Sequence, residues 1–248
     1  MYRERAYRRV ARARDLIGFQ VEVKETDLWI QAQSDLYLPA REIVIRLRDE
    51  LESYISYHPE FATSLLPVSP STFSPPIVRL MAASSEKANV GPMAAVAGAI
   101  AELVGQELVP LSPELMVENG GDIFLQSQRP RVVEIYAGSS PFSHRLGLKV
   151  ESRGEPLGVC TSAGRVGHSL SLGAADAAVI LAPSPALADA VATRVGNRVQ
   201  REGDVPAALE LAKSIAGVCG AVVIVGRNLG AWGELEIVEL GAEDPFPA

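Results

Sequence analysis

The stretch LMVENGGDIFLQ, residues 115–126, constrains the fold more than any other part of the chain. Two apolar runs flank Asn119, Gly120, Gly121 and Asp122. Adjacent glycines weaken any regular element. A hairpin accounts for them, and so does a strand end that must approach a ligand. Other strand candidates also arrive as neighbours. In GFQVEVKETDLWIQAQ, Phe19, Val21 and Val23 alternate with polar residues, as do Leu28 and Ile30 after the KETD turn. RVVEIYAG and LGLKVES follow GDIFLQ, then PLGVCTS and the buried strand AAVILA; AVVIVGRN and ELEIVEL close the chain as a hairpin across LGAWG. Strands in adjacent pairs, rather than in strict alternation with helices, predict an α+β fold with antiparallel sheets and exclude a doubly wound parallel sheet. No GxGxxG follows a strand and no GxxxxGK[ST] occurs, so dinucleotide and P-loop readings have no support.

The helical segments are fewer. LPAREIVIRLRDELESYISYHPEF carries Ile43, Leu47, Leu51 and Ile55 at helical spacing, with Pro39 suited to its start. Residues 62–76, ATSLLPVSPSTFSPP, read as a Pro/Ser-rich loop. IVRLMAASSEKANVG reads as a strand and a loop, and GPMAAVAGAIAELVGQEL as a buried small-residue helix. SPALADAVATRVGNRVQ is a helix with Ser184 at its N-cap and Pro185 at its first turn, and VPAALELAKSIAGVC is another.

A chain of 248 residues, close to half of them apolar, can bury a large core, and its net charge of −7 argues against a nucleic-acid footprint over the whole surface. The start runs the other way: Arg3, Arg5, Arg8, Arg9, Arg12 and Arg14 crowd the first fourteen residues. Such a tail suits RNA, anionic lipid or an acidic partner, and equally a solvated arm. No apolar run is long enough for a membrane helix and the N-terminus lacks the apolar region of a signal peptide, so a cytoplasmic protein is expected. Cys160 and Cys219 lie in apolar sequence, which predicts buried reduced thiols; neither belongs to a CxxC pair.

Chemistry is expected in three segments. Asp189 and Thr193 are four apart on one helix, so a carboxylate and a hydroxyl share a face one turn apart. That pair suits a hard cation such as Mg²⁺, which takes one or two carboxylates plus substrate phosphates. The plainer alternative is a surface Asp placed to favour the helix dipole. TSAGRVGHS, residues 161–169, offers Thr161 and Ser162, then Gly164, Arg165, Gly167 and His168. Its glycines can turn backbone amides toward a phosphate, and His168 is a candidate acid/base or a structural histidine. The third segment is the loop NGGD, residues 119–122.

Together and in this order, ENGGDI, the TS-small-G turn and ALADAVAT resemble the ApbE-like superfamily, whose best-known members are FAD:protein FMN transferases with a T-fold-like duplication. The resemblance covers roughly residues 88–200, with VGPMAAVAGAIAELVGQEL in the place of the family's Gly-Gly-x-Ala-Lys-Gly helix. It is nearest to an uncharacterised short branch that keeps CTSxGxVGHSxSxGxADA. The resemblance implies a single ApbE-like domain over 1–248, with two pseudo-repeat halves of approximately 1–115 and 116–248. It implies antiparallel sheets, helices packed on the outer faces and a site in the cleft between. It implies a cation held by Asp189 and Thr193 with backbone oxygens near Ala94, and His168 as the catalytic histidine. It implies a flavin-nucleotide pocket lined by Asn119, Gly120, Gly121, Thr161, Ser162 and Gly164. The cofactors implied are Mg²⁺ and FAD or another nucleotide.

The departures are specific. The transferase helix has a Lys before its Gly and an Asp a turn later, whereas MAAVAGAIAE has neither, and the transferases' histidine–proline–threonine–glycine insert is missing. Three functions stay open. One is a Mg²⁺-dependent enzyme acting on a phosphoester or pyrophosphate of a flavin- or nucleotide-like ligand. Another is a binding module without turnover. The last is an assembly protein, a homo-oligomer with helix 91–106 in its interface. Neither nucleic acid nor membrane is expected as a partner.

Overall fold

The computed structural model describes residues 13, 15–163, 173–233 and 235–240. The arginine-rich start, Gly164 and His168 lie outside them. In chain order the strands and helices are β1 (Ile17–Val23), β2 (Thr26–Ala32), α1 (Tyr37–Tyr57), α2 (Glu60–Thr63), α3 (Pro76–Ala88) and α4 (Val96–Leu108). There follow β3 (Leu115–Asn119), β4 (Asp122–Gln126), β5 (Arg131–Glu134), β6 (Leu146–Val150), β7 (Leu157–Ser162) and β8 (Ala177–Ala182). The chain continues with α5 (Pro185–Arg198), α6 (Val205–Ser214), β9 (Gly220–Val225), β10 (Asn228–Gly233) and β11 (Glu236–Glu239).

An eight-stranded sheet runs β1-β2-β3-β4-β7-β8-β9-β10, and a three-stranded sheet runs β11-β6-β5. Every pairing in both is antiparallel. This is the predicted α+β class, and its form is three layers. Strand alternation sends one set of side chains to each face. Val117, Phe124, Ile180 and Val223 join α1, α3, α4, α5 and α6 in one core. Their neighbours Met116, Ile123, Leu125, Val179 and Ile224 meet Val133, Leu148 and Val150 of the small sheet in another. Burial on both faces explains why AAVILA and GAVVIV are apolar without alternation.

Helices α1–α4 are inserted between β2 and β3, and α5–α6 between β8 and β9, so four strands stand on each side of the β4–β7 junction. Residue 115, where the sequence suggested a division, opens β3, which pairs with β2.

Four local expectations need correction. IVRLMAASSEKA is the helix α3, not a strand: Ile77, Val78, Met81, Ala82, Ser85 and Ala88 make a buried helical stripe after Pro76. The β-branched pair Ile77–Val78 imitates a strand start. The small-residue segment is broken, with a 3₁₀ turn at Pro92–Ala95 before α4. The closing hairpin is differently placed. β10 turns back on β9 through Gly226 and Arg227, and ELEIVEL leaves to pair with β6 as β11. Cys160 is buried as expected, but Cys219 is exposed at the end of the α6–β9 connection.

Arg131 ties the layers together. Its Nη1 lies 2.6 Å from Asp15 Oδ1, its Nη2 2.9 Å from Glu114 Oε2 and its Nε 3.0 Å from Ser127 Oγ.

A carboxylate pair beside the first turn of α4

The NGGD segment is a hairpin: Asn119 pairs with Asp122, and Gly120 and Gly121 have φ of 68° and 108°. Positive φ at both central residues is the turn that matches strand twist, and glycine adopts it without strain. A side chain at Gly120 would meet nothing within 4 Å, and one at Gly121 would come no nearer than 4.0 Å to Thr161 O. The turn itself thus requires the glycines.

The hairpin is anchored to α4, because Asn119 Nδ2 donates to Ala97 O at 3.1 Å. On its other side β4 pairs with β7, with Asp122 opposite Cys160, so Thr161 and Ser162 follow directly at the end of β7. Ser162 faces Gly196 of α5, its Oγ 3.4 Å from where a Cβ would stand.

Helices α4 and α5 meet closely, and each caps the other. Asp189 of α5 accepts from Gly98 N at 2.9 Å and from Ala97 N, the amides that open α4. Glu102 of α4 accepts from Ala186 N at 3.0 Å and from Ser184 Oγ at 2.6 Å, at the opening of α5. Free amides and the positive end of the dipole favour a carboxylate at both places. Gly98 makes the approach possible, since a Cβ there would stand 2.4 Å from Pro185 O and 2.8 Å from Asp189 Cβ.

The electrostatics of the cluster are unusual. Asp122 is 8 % exposed, and its Oδ1 has no hydrogen-bond partner among the described residues. Burial pushes its carboxyl up to about 7, against hydrogen bonds from Cys160 and Thr161 N that favour the charge. Asp189 is partly buried, with its carboxylate held against the opening of α4. Burial holds its acid well above the usual carboxylate range, and the charge of Asp122 raises it further. Burial, then both aspartates, raises the Cys160 thiol, whose Sγ lies 3.3 Å from Pro185 O. Among the described residues no lysine or arginine forms an ion pair with Asp122 or Asp189.

Of the residues singled out from the sequence, the fold brings Asn119 and Asp189 to the opening of α4, with Gly121 and Thr161 next to the hairpin, whereas Ser162 faces Gly196 farther along α5. Thr193 lies one turn along α5, partly buried, and Ala94 is in the 3₁₀ turn before α4. Asp122 entered the sequence reading only as part of the NGGD loop, with no role of its own, and Glu102 did not enter it; the pairing of β4 with β7 places Asp122 opposite Cys160. Among the described residues no three side chains of the His, Cys, Asp and Glu types converge on a metal position. The aspartates are a pair, the number of carboxylates Mg²⁺ commonly takes before waters and phosphates complete its shell. A surface hollow of about 390 Å³ lined by Ser140, Asp176, Arg201 and Arg227 does not reach them. No single described helix is long and apolar enough to cross a membrane.

The chain has relatives. A family model described as AbpE bacteria matches residues 8–229. A UPF0280 protein of Methanococcus vannielii is 42% identical over 227 residues, covering 89% of this chain and 92% of its own length. A UPF0280 protein of Methanocaldococcus jannaschii is 41% identical over 222 residues, covering 87% and 90%. Among solved structures, the apo form of the Pseudomonas stutzeri flavinyl transferase ApbE superposes with a TM-score of 0.60 at 14% identity, covering 90% of this chain and 94% of its own. The Vibrio cholerae flavin transferase ApbE gives 0.58 at 13% identity, covering 90% and 97%. At such identities the solved structures speak for the fold alone, while the family model and the archaeal relatives speak for descent: the chain belongs to the ApbE-like family, in the branch of the UPF0280 proteins.

Proposed function

We propose that the chain binds Mg²⁺ at Asp189 and Thr193 and uses it to engage a phosphate of a flavin- or nucleotide-like ligand, for cleavage or transfer at a phosphoester or pyrophosphate. The observation that carries this reading is Asp189: a partly buried carboxylate held by the amides of Ala97 and Gly98 beside a second carboxylate, with no basic partner among the described residues. Such a charge is costly unless paired or metal-bound. The residues fit a hard cation, because the oxygens available are carboxylate and hydroxyl. Bound there, the cation would supply positive charge to a phosphate.

The chain's own groups would do the rest. The amides of Ala97 and Gly98 hold and orient Asp189. Asn119 fixes the first turn of α4 against the hairpin. Thr161 and Ser162 offer hydroxyls on the flank, and His168 is the proposed proton carrier. The fit to a complete flavin site is poorer. α4 has no lysine and no aspartate, and its buried carboxylate, Glu102, is committed to α5. That favours, as a second reading, a module that binds a phosphorylated ligand without turnover. Assembly through α4 has less support, because its small-residue face is consumed inside the chain by α5, β3 and β4.

The test is thermal unfolding of wild type and Asp189→Ala with millimolar Mg²⁺ against FAD, FMN, ADP and ATP. A ligand at a hundred times its Kd adds about 2.7 kcal/mol. Stabilisation of wild type alone supports the reading, and turnover assays with that ligand then separate enzyme from binder. Equal behaviour of the two proteins refutes it.

A further inference from the structure

We propose that Asp122, at the first residue of β4, is the second carboxylate ligand of the cation that Asp189 binds; this rests on the reading of Asp189 given above. Asp122 is more than nine-tenths buried, and one of its oxygens lacks any partner among the described residues. Buried polar atoms are ordinarily satisfied, so an orphaned carboxylate oxygen points to a group that completes it. The neighbours that reach Asp122 are the Thr161 amide and the Cys160 thiol, and its charge is felt at Asp189. No arginine or lysine among the described residues balances the two.

The backbone makes this placement rigid. The two-residue turn locks Asp122 opposite Asn119, and the Asn119 side chain is fastened to Ala97 O. Ala97 and Gly98 in turn hold Asp189. Asp189 is thereby bonded directly to the opening of α4, and the hairpin that carries Asp122 is fastened to the same turn through Asn119. A structural acid could stay protonated and be satisfied by a single acceptor. Two neighbouring carboxylates from β4 and α5, with an oxygen left over, suit a divalent cation better.

The probe is Mn²⁺, followed by its electron paramagnetic resonance signal on titration into the metal-free full-length chain. Wild type, Asp122→Asn and Asp189→Asn are compared, with far-UV circular dichroism to verify folding. The expected result is at least tenfold weaker Mn²⁺ binding in both variants, with folds intact and with the metal-free Asp122→Asn protein at least as heat-stable as wild type. Asp122→Ser carries the same expectation and stands in if asparagine disturbs the hairpin. Wild-type affinity in the Asp122 variants, with affinity lost in Asp189→Asn, overturns this inference and leaves the reading of Asp189 standing. No Mn²⁺ binding by wild type overturns both.

Discussion

Gly98→Ala tests whether the close meeting of α4 and α5 holds the site. The added methyl would stand 2.4 Å from Pro185 O, 2.8 Å from Pro185 C and 2.8 Å from Asp189 Cβ. Carbon contacts settle at about 3.5–4 Å, so the helices must separate by about 1 Å. Pro185 cannot rotate away, because it is backbone at the opening of α5, next to the Ala186 amide held by Glu102. Against backbone, which cannot swing aside, overpacking falls in the upper part of its usual range, about 2–3 kcal/mol. Replacing glycine by alanine within a helix returns up to about 1 kcal/mol. The net is a loss of about 1–2 kcal/mol. For a chain of this size that lowers Tm by roughly 2–8 °C. The control is Gly203→Ala, where an added Cβ meets nothing within 4 Å; it should change stability by less than about 0.5 kcal/mol. Scanning calorimetry of both, with Mn²⁺ titration, is the assay. Gly98→Ala should unfold earlier and bind Mn²⁺ more weakly, because Asp189 loses its fixed distance to the Gly98 amide. A variant as stable as the Gly203→Ala control would refute the packing argument.

Other consequences follow from the same contacts. Glu102→Ala removes the acceptor for Ala186 N and Ser184 Oγ and should cost about 1–3 kcal/mol in urea unfolding; Glu102→Gln, which keeps one such oxygen, should cost less. Arg131→Ala strips the mostly buried cation from Asp15 and Glu114 and should cost roughly 3 kcal/mol, whereas Arg129→Ala, at a largely exposed pair, should cost less than about 1 kcal/mol. Asp122 is held at about 7 in the fold against an ordinary value of about 3.9. Its contribution to stability is present at low pH and lost as pH rises through about 7. In EDTA, Asp122→Asn should remove that part of the pH dependence, and an unchanged wild-type slope would contradict it.

Much of the architecture could be read from patterns of short range. Neighbouring strand candidates around NGGD and KETD announced antiparallel pairing, and the turns sit where those residues put them. Unalternating apolar runs announced strands buried on both faces. The failures lie where local preference and tertiary packing disagree. Ile77 and Val78 favour a strand, but their stripe with Met81, Ala82 and Ser85 is buried only as a helix. ELEIVEL alternates like a hairpin partner, yet the chain turns at Gly233, with φ of 101°, and β11 joins the small sheet.

The site was legible only in part, for the same reason. Asp189 and Thr193 could be paired from helical spacing alone. The partner that holds Asp189, Gly98 N, is 91 residues away in sequence. Asp122 looked like a turn residue, because only the pairing of β4 with β7 shows that it faces inward beside Cys160 and Thr161. Glu102 looked like the polar position of a small-residue helix, and the contact that uses it comes from Ser184 and Ala186.

The most direct measurement is an anomalous difference map from crystals of the full-length chain grown with Mn²⁺. A single strong peak is expected within bonding distance of Asp189 and Asp122, beside the first turn of α4, and absent from crystals of Asp189→Asn. A map with no peak there, while Mn²⁺ binds elsewhere or not at all, would contradict it and leave Asp189 as the cap of α4.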